Sequence, residues 1–189
     1  PQPKQDNPGA NGVIMIRNVG QAAAGVAFAG DGATVAVVSG TPNLGMVRIA
    51  GQPAQPGGAR SYARFWNTTS GKQVRHFTID KPVATFDFSP DDRNLATLNS
   101  DGTVSIWEVA SGKERQQFKA AGSHIQFAPD GATVAVAGGP KATLYDIRTG
   151  KELASFDGHQ GSILTLAFSP DNSTLLTGSA DSTVLSWDL

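Results

Sequence analysis

With 189 residues the chain can bury a core as one large domain or two small ones. Fifteen Lys and Arg against sixteen Asp and Glu leave a formal net charge of −1, which argues against a nucleic-acid footprint or an anionic membrane surface as the main partner. The absence of Cys removes disulfides, thiolate zinc sites and cysteine nucleophiles together.

No apolar run approaches the roughly twenty residues of a spanning helix, so no membrane insertion is expected. The first residue is Pro1 rather than Met, as expected of a processed product or of a piece cut from a longer chain, with any targeting signal out of view. The composition assigns no compartment.

In chain order, residues 1–11 are rich in Pro, Gln, Asn and Gly and read as a flexible lead-in. "GVIMIRN" (12–18) reads as a lone strand, followed by "FAGDG" (28–32), the first of four similar turns. The others are "FSPDD" (88–92), "FAPDG" (127–131) and "FSPDN" (168–172). Each leads to an aromatic residue with a polar neighbour: Trp66-Asn67, Trp107-Glu108, Tyr145-Asp146 and Trp187-Asp188. A third marker comes next, "SGK" at 70–72 and 111–113 and "TGK" at 149–151. The aromatic residues lie 41, 38 and 42 positions apart, a repeat of about forty residues holding several turns. That period points to a four-stranded propeller blade.

One repeat departs from the rest. Phe28 to Trp66 is 38 residues, against 18 or 19 from Phe to aromatic elsewhere. The excess lies near "TPNLGMVRIAGQPAQPGGAR" (41–60), in the connection between the second and third strands. Long loops on rigid scaffolds often carry function, although loop-closure entropy also tolerates idle insertions. Met46, Val47 and Ile49 around Arg48 make this one apolar for an idle loop.

The last repeat shows the strand pattern most fully, in "KELASF", "ILTLAFS", "STLLTGS" and "TVLSWDL". Leu166 and Phe168 share one side of a strand, Val184 and Ser186 one side of another. Helical periodicity is nowhere sustained, so the chain is expected to be all-β.

These residues and spacings resemble the WD-repeat (tryptophan–aspartate) family of β-propellers over roughly residues 12–189. The resemblance implies an all-β propeller of four-stranded antiparallel blades, with four WD-type repeats in this chain. The expected organisation is a lead-in at 1–11 and a propeller domain at 12–189. Within it lie strand 12–18, blades at about 24–77, 83–118, 122–156 and 162–189, and an insertion at about 41–60. It also implies a structural tetrad of His159, Thr177, Asp181 and Trp187, whose separations of 18, 4 and 6 match the family. A partial tetrad follows in Thr97, Asp101 and Trp107, without a histidine. The third repeat has Tyr145 for Trp and Gly139 in place of the Asp.

Without the family, a His, an Asp and a hydroxyl suggest a hydrolase triad. Buried polar groups of this kind normally satisfy one another, and no G-x-S-x-G elbow supports a nucleophile. No catalytic residue, metal site or cofactor is therefore expected. His76 and His124 lie in different repeats, and no pair of histidines has the i,i+4 spacing of a helical metal site. The Asp-Gly pairs lack the spaced ligands of a calcium loop and read as turns.

The resemblance implies a non-enzymatic scaffold that binds a protein or peptide on the face carrying the loops from each fourth strand to the next first strand and the turns between second and third strands. The candidate contact residues are Met46, Arg48, Arg60, Lys81, His124 and Lys141. An enzyme or small-ligand module at the channel mouth, drawing on Asp87, His124 and Gln126, is the alternative from another class. An accessory repeat domain of a larger protein is a third. Because strand 12–18 precedes the first repeat, two copies could exchange it and form an eight-bladed homodimeric ring. A self-closed four-bladed ring and a fragment of a longer propeller are the rivals.

Overall fold

The computed structural model describes residues 22–29, 32–40 and 60–189, which form fifteen strands and no helix. β1 (Ala22–Phe28), β2 (Thr34–Gly40), β3 (Ser61–Asn67) and β4 (Gln73–Ile79) make one sheet. β5 (Val83–Phe88), β6 (Asn94–Asn99), β7 (Thr103–Glu108) and β8 (Lys113–Lys119) make the second. β9 (His124–Phe127), β10 (Thr133–Gly138), β11 (Lys141–Asp146) and β12 (Glu152–Asp157) make the third. β13 (Ile163–Phe168), β14 (Thr174–Ser179) and β15 (Val184–Asp188) make the fourth, three-stranded among the described residues. Every pairing is between sequence neighbours and antiparallel, so each sheet is a meander, here called blades one to four. Strand 12–18, the lead-in and most of the insertion lie outside the described residues.

Turn chemistry repeats as faithfully as the strands. In the four Phe-initiated turns the fifth residue is Gly32, Asp92, Gly131 or Asn172, and each takes a positive φ near 60°. Gly, Asn and Asp tolerate that left-handed region best, which explains the restricted alphabet at this position. Each of these four residues donates its backbone N–H to the carbonyl three positions back, at 2.9–3.0 Å.

The markers "SGK" and "TGK" are the turns into the fourth strand. Gly71, Gly112 and Gly150 have φ of 65°, 67° and 69° and donate to the carbonyls of Asn67, Glu108 and Asp146. The polar residue after each aromatic serves the same turn. Asn67 Oδ1 accepts from the backbone N–H groups of Thr69 and Ser70, and Asp146 Oδ1 from those of Arg148 and Thr149. Glu108 holds the Ser111 hydroxyl and the Arg115 guanidinium.

The first strands pack on one another in sequence, β1 on β5, β5 on β9 and β9 on β13, so the blades fan out from a common inner edge. Each blade has a leading face and a trailing face, and the core is three layers between blades. Blade one offers Ala36, Val38, Ala63 and Phe65 to Phe88, Leu95 and Trp107 of blade two. Blade two offers Ala96, Leu98, Val104 and Ile106 to Ile125, Phe127 and Val134 of blade three. Blade three offers Ala135, Ala137, Ala142 and Leu144 to Ile163, Leu175, Phe168 and Trp187 of blade four. The central strands β6 and β10 are buried on both faces; β10 is nearly all apolar, whereas β6 also buries Thr97 and Asn99.

Candidate functional site: the loop face and its tetrads

In blades two to four the loop from fourth to first strand is tied to the hairpin between second and third strands. Ser100 donates its N–H to Pro82 O at 2.8 Å and Ala180 donates to Ser162 O at 2.9 Å. Both kinds of loop therefore share one face of the molecule.

Blade four makes that tie with side chains. Trp187 Nε1 lies 2.9 Å from Thr177 Oγ1, Thr177 Oγ1 lies 2.7 Å from His159 Nε2, and His159 Nδ1 lies 3.0 Å from Asp181 Oδ2. An indole N–H can only donate and a carboxylate can only accept. With a neutral imidazole protonated at Nδ1 the relay runs one way: Trp187 donates to Thr177, the Thr177 hydroxyl to His159 Nε2, and His159 Nδ1–H to Asp181. His159 and Thr177 are buried. Asp181 also accepts from the Thr183 hydroxyl at 2.6 Å and from the N–H groups of Gln160 and Thr183, both at 2.8 Å. The Thr183 hydroxyl leads the donors that hold its carboxyl well below the usual carboxylate range.

Blade two lacks the histidine. Ile79 stands at the equivalent position and is fully buried. The charge partner comes instead from two residues further on, where Lys81 Nζ lies 2.8 Å from Asp101 Oδ2 and donates to Thr103 Oγ1 at 3.0 Å. Thr97 still accepts from Trp107 Nε1 at 3.0 Å, and turns its own hydroxyl toward Ser105 O at 3.4 Å. Lys81 and the Thr103 hydroxyl lower the pKa of Asp101.

Blade three brings two backbones together instead. A Cβ on Gly138 would lie 2.6 Å from Gly122 Cα, and Ser123 donates its N–H to Ala137 O at 2.8 Å. In blade one, Ser61 Oγ accepts the Val83 N–H at 2.9 Å and Arg60 Nε meets Asp80 Oδ1 at 3.1 Å.

The candidate contact residues are thus spread over the face. Met46 and Arg48 lie outside the described residues. Arg60 is exposed and paired with Asp80, and Lys81 is committed to its own blade. Lys141 stands exposed at the start of β11. His124 is half-buried, with Nδ1 2.9 Å from Ser123 Oγ. Sequence reasoning missed the pairing of Lys81 with Asp101, because Lys81 lies two positions off the histidine's place in the repeat.

At the inner edge, Asp87 Oδ2 accepts the Phe127 N–H at 2.7 Å, tying blade two to blade three. Burial pushes its pKa up against the opposing N–H groups of Phe127 and Phe88. Gln126 holds the equivalent place one blade on, and its Oε1 is buried without a hydrogen-bond partner. Asp87 and His124 are each engaged with a separate local partner. On the opposite face a cleft of about 190 Å³, lined by Phe65, Arg75, Phe88 and Asp92 among others, opens between blades one and two. It is smaller than sites that enclose drug-sized ligands. No group of three His, Asp or Glu among the described residues could hold a metal ion.

Fanned antiparallel meanders, the last of them tied by a Trp–Thr–His–Asp relay, define a repeat protein of the propeller class. Two stretches, residues 71–108 and 150–188, match the WD domain, G-beta repeat family. The chain thus carries WD-type repeats at these two positions. It is 35% identical over 100 residues to the target of rapamycin complex subunit wat1 of Schizosaccharomyces pombe, covering 50% of this chain and 32% of that protein. It is 34% identical over 131 residues to WD repeat and SOCS box-containing protein 1 of Xenopus tropicalis, covering 66% of this chain and 31% of that protein. The chain thus spans about a third of the length of these relatives. The crystal structure of the computationally designed Ika4 protein shares the fold, with a TM-score of 0.64 at 22% identity over 93% of this chain and 96% of that one.

Proposed function

We propose that the chain is a non-enzymatic scaffold that binds a protein or peptide on the face carrying the fourth-to-first loops and second-to-third hairpins. The observation that carries this reading is the internal use of its reactive-looking groups. Both ring nitrogens of His159 and the hydroxyl of Thr177 are bonded within a buried relay, so they face no substrate. Arg60 and Lys141, by contrast, stand exposed on that face. The similar proteins support the reading, since wat1 is by its name a subunit of a complex. Met46 and Arg48 of the insertion extend the same proposed surface. The exchange of strand 12–18 between two copies belongs to the reading too, as an element that would cover the edge of β15 that no described strand pairs.

Screening a displayed peptide library against the chain tests the proposal. Bound peptides should be lost from Arg60→Ala/Lys141→Ala at unchanged melting temperature. Peptides retained equally by that variant would place the surface elsewhere. Turnover of ester or peptide substrates that disappears in His159→Ala would overturn the non-enzymatic reading.

A further inference from the structure

Repeat equivalence shows what each blade face normally mates with, and two faces have no mate among the described residues. Phe88 and Phe127, on the leading faces of blades two and three, are 8% and 5% exposed against the blade before them. Phe28 is their equivalent in blade one and is 67% exposed, with Val26 beside it equally open. At the other end, Val104 on the trailing face of blade two is fully buried against blade three. Its equivalent in blade four, Val184, is 69% exposed, and Leu176 is 42% exposed where Ala96 is fully buried.

The burial pattern along the strands says the same. β6 and β7 are buried on both faces, whereas β14 buries only Leu175 and Thr177 of its leading face and β15 alternates half-buried with exposed residues. Four blades therefore form an arc with an open apolar face at each end.

We propose that these two faces mate between two copies of this chain, head to tail. The leading face of blade one (Val26, Phe28) would seat on the trailing face of blade four (Leu176, Val184) of a second copy. Two such junctions, related by a two-fold axis, would close an eight-bladed ring.

A second copy is the occupant the observations favour. The open faces are a leading and a trailing one, the pair that mates at all three internal junctions. A heterologous contact of this kind forms a closed ring when its rotation closes, and eight blades lies within the range propellers adopt. The new junction is apolar even at its inner edge, where Ala167 stands in place of the Asp87 that ties blade two to blade three. Burying these side chains supplies the driving force. The junction rests on described residues alone, and neither needs strand 12–18 nor depends on what binds the loop face.

Light scattering after size exclusion, over a dilution series of the 189-residue chain, should give twice 19.6 kDa. Phe28→Glu and Val184→Glu should each lower it to the single-chain mass. Both residues are exposed, so the melting temperature measured at monomeric concentrations should not fall below that of wild type. Because the chain has no cysteine, Phe28→Cys/Val184→Cys treated with a short bismaleimide should give covalent dimers while either single variant should not. A single-chain mass at every concentration would overturn the proposal and leave the faces to other blades. So would a dimer indifferent to both glutamates. Cross-linking of Phe28→Cys alone would replace it with a like-to-like contact.

Discussion

Lys81 and Asp101 do in blade two what His159 and Asp181 do in blade four. The Lys81 Nζ–Asp101 Oδ2 distance is 2.8 Å and the His159 Nδ1–Asp181 Oδ2 distance 3.0 Å, and each cation-capable group also reaches the threonine two residues past its aspartate. The geometry is similar but the energetics differ. Lys81 and Asp101 are partly exposed, so water and salt screen them, while the His159 side chain has no exposure at all.

Lys81→Ala should therefore cost little, about 0.5 kcal/mol, as exposed ion pairs do. Urea denaturation in low salt and in 1 M NaCl checks this, since screening should shrink the difference. The same variant should bind loop-face peptides as wild type does, because its ammonium is spent inside the blade. Loss of binding at unchanged stability would return Lys81 to the partner surface.

The tetrad itself should divide unequally between the blades. Thr177→Val breaks a relay of three bonds and strands both the Trp187 N–H and His159 Nε2, with a cost of about 2–3 kcal/mol. Thr97→Val strands only the Trp107 N–H and gives up one long bond to Ser105 O, with a cost of about 1 kcal/mol. Equal shifts in the urea midpoint would show that the histidine adds nothing to the relay.

Much of this fold is legible in the sequence because propeller blades repeat their turns. A left-handed residue, a capping Asn or Asp and a turn glycine each recur in register with Trp or Tyr, so one motif predicts strands on both sides of it. The tetrad of blade four is legible for the same reason, its spacing being fixed by hairpin length. Lys81 is not legible, because a flexible four-carbon side chain can reach Asp101 from a position no alignment would pair with His159. Blade three hides its tie for another reason, since Gly122 and Gly138 meet backbone to backbone. The open end faces are also invisible to the pattern. Phe28 and Phe127 occupy the same place in the motif, and only the packing shows that Phe127 has a blade against it while Phe28 has none among the described residues.

The turn glycines carry different loads, and alanine should separate them. Gly102 and Gly150 both have positive φ, +76° and +69°. A Cβ on Gly102 would meet nothing within 4 Å, whereas on Gly150 it would fall 2.8 Å from Phe118 Cβ in the preceding blade. Gly102→Ala should cost about 1 kcal/mol of backbone strain. Gly150→Ala adds a collision to that strain and forces the two blades apart, for a total of about 3 kcal/mol. Gly112→Ala should resemble it, since its Cβ would lie 2.8 Å from Phe77 Cβ. Midpoints that do not rank this way would mean the blade–blade contact yields easily.

Acid should loosen the fold, and Asp87 should oppose the loss. The Ser169 and Ser173 hydroxyls hold the carboxyl of Asp171 down at about 2, and Asp181 and Asp101 are also depressed from the ordinary 3.8. For these groups the stabilisation is complete above the unfolded value of 3.8 and is lost as the pH falls toward the folded one. Asp87 is raised by burial, so its folded form takes up a proton before the unfolded chain does. Its contribution is complete below 3.8 and is lost as the pH rises through the folded value. The melting temperature should therefore hold from neutrality to about pH 5 and fall below about pH 4, where carboxylates of the unfolded chain protonate. Asp87→Asn keeps an oxygen that can accept the Phe127 N–H and buries no charge, so at pH 7 it should be at least as stable as wild type. On acidification it should fall more steeply, having no late-protonating carboxyl to offset the others. Melting curves of the two proteins that stay parallel from pH 7 to pH 3 would show that Asp87 titrates as it does in the unfolded chain, and that its bond to blade three is indifferent to its charge.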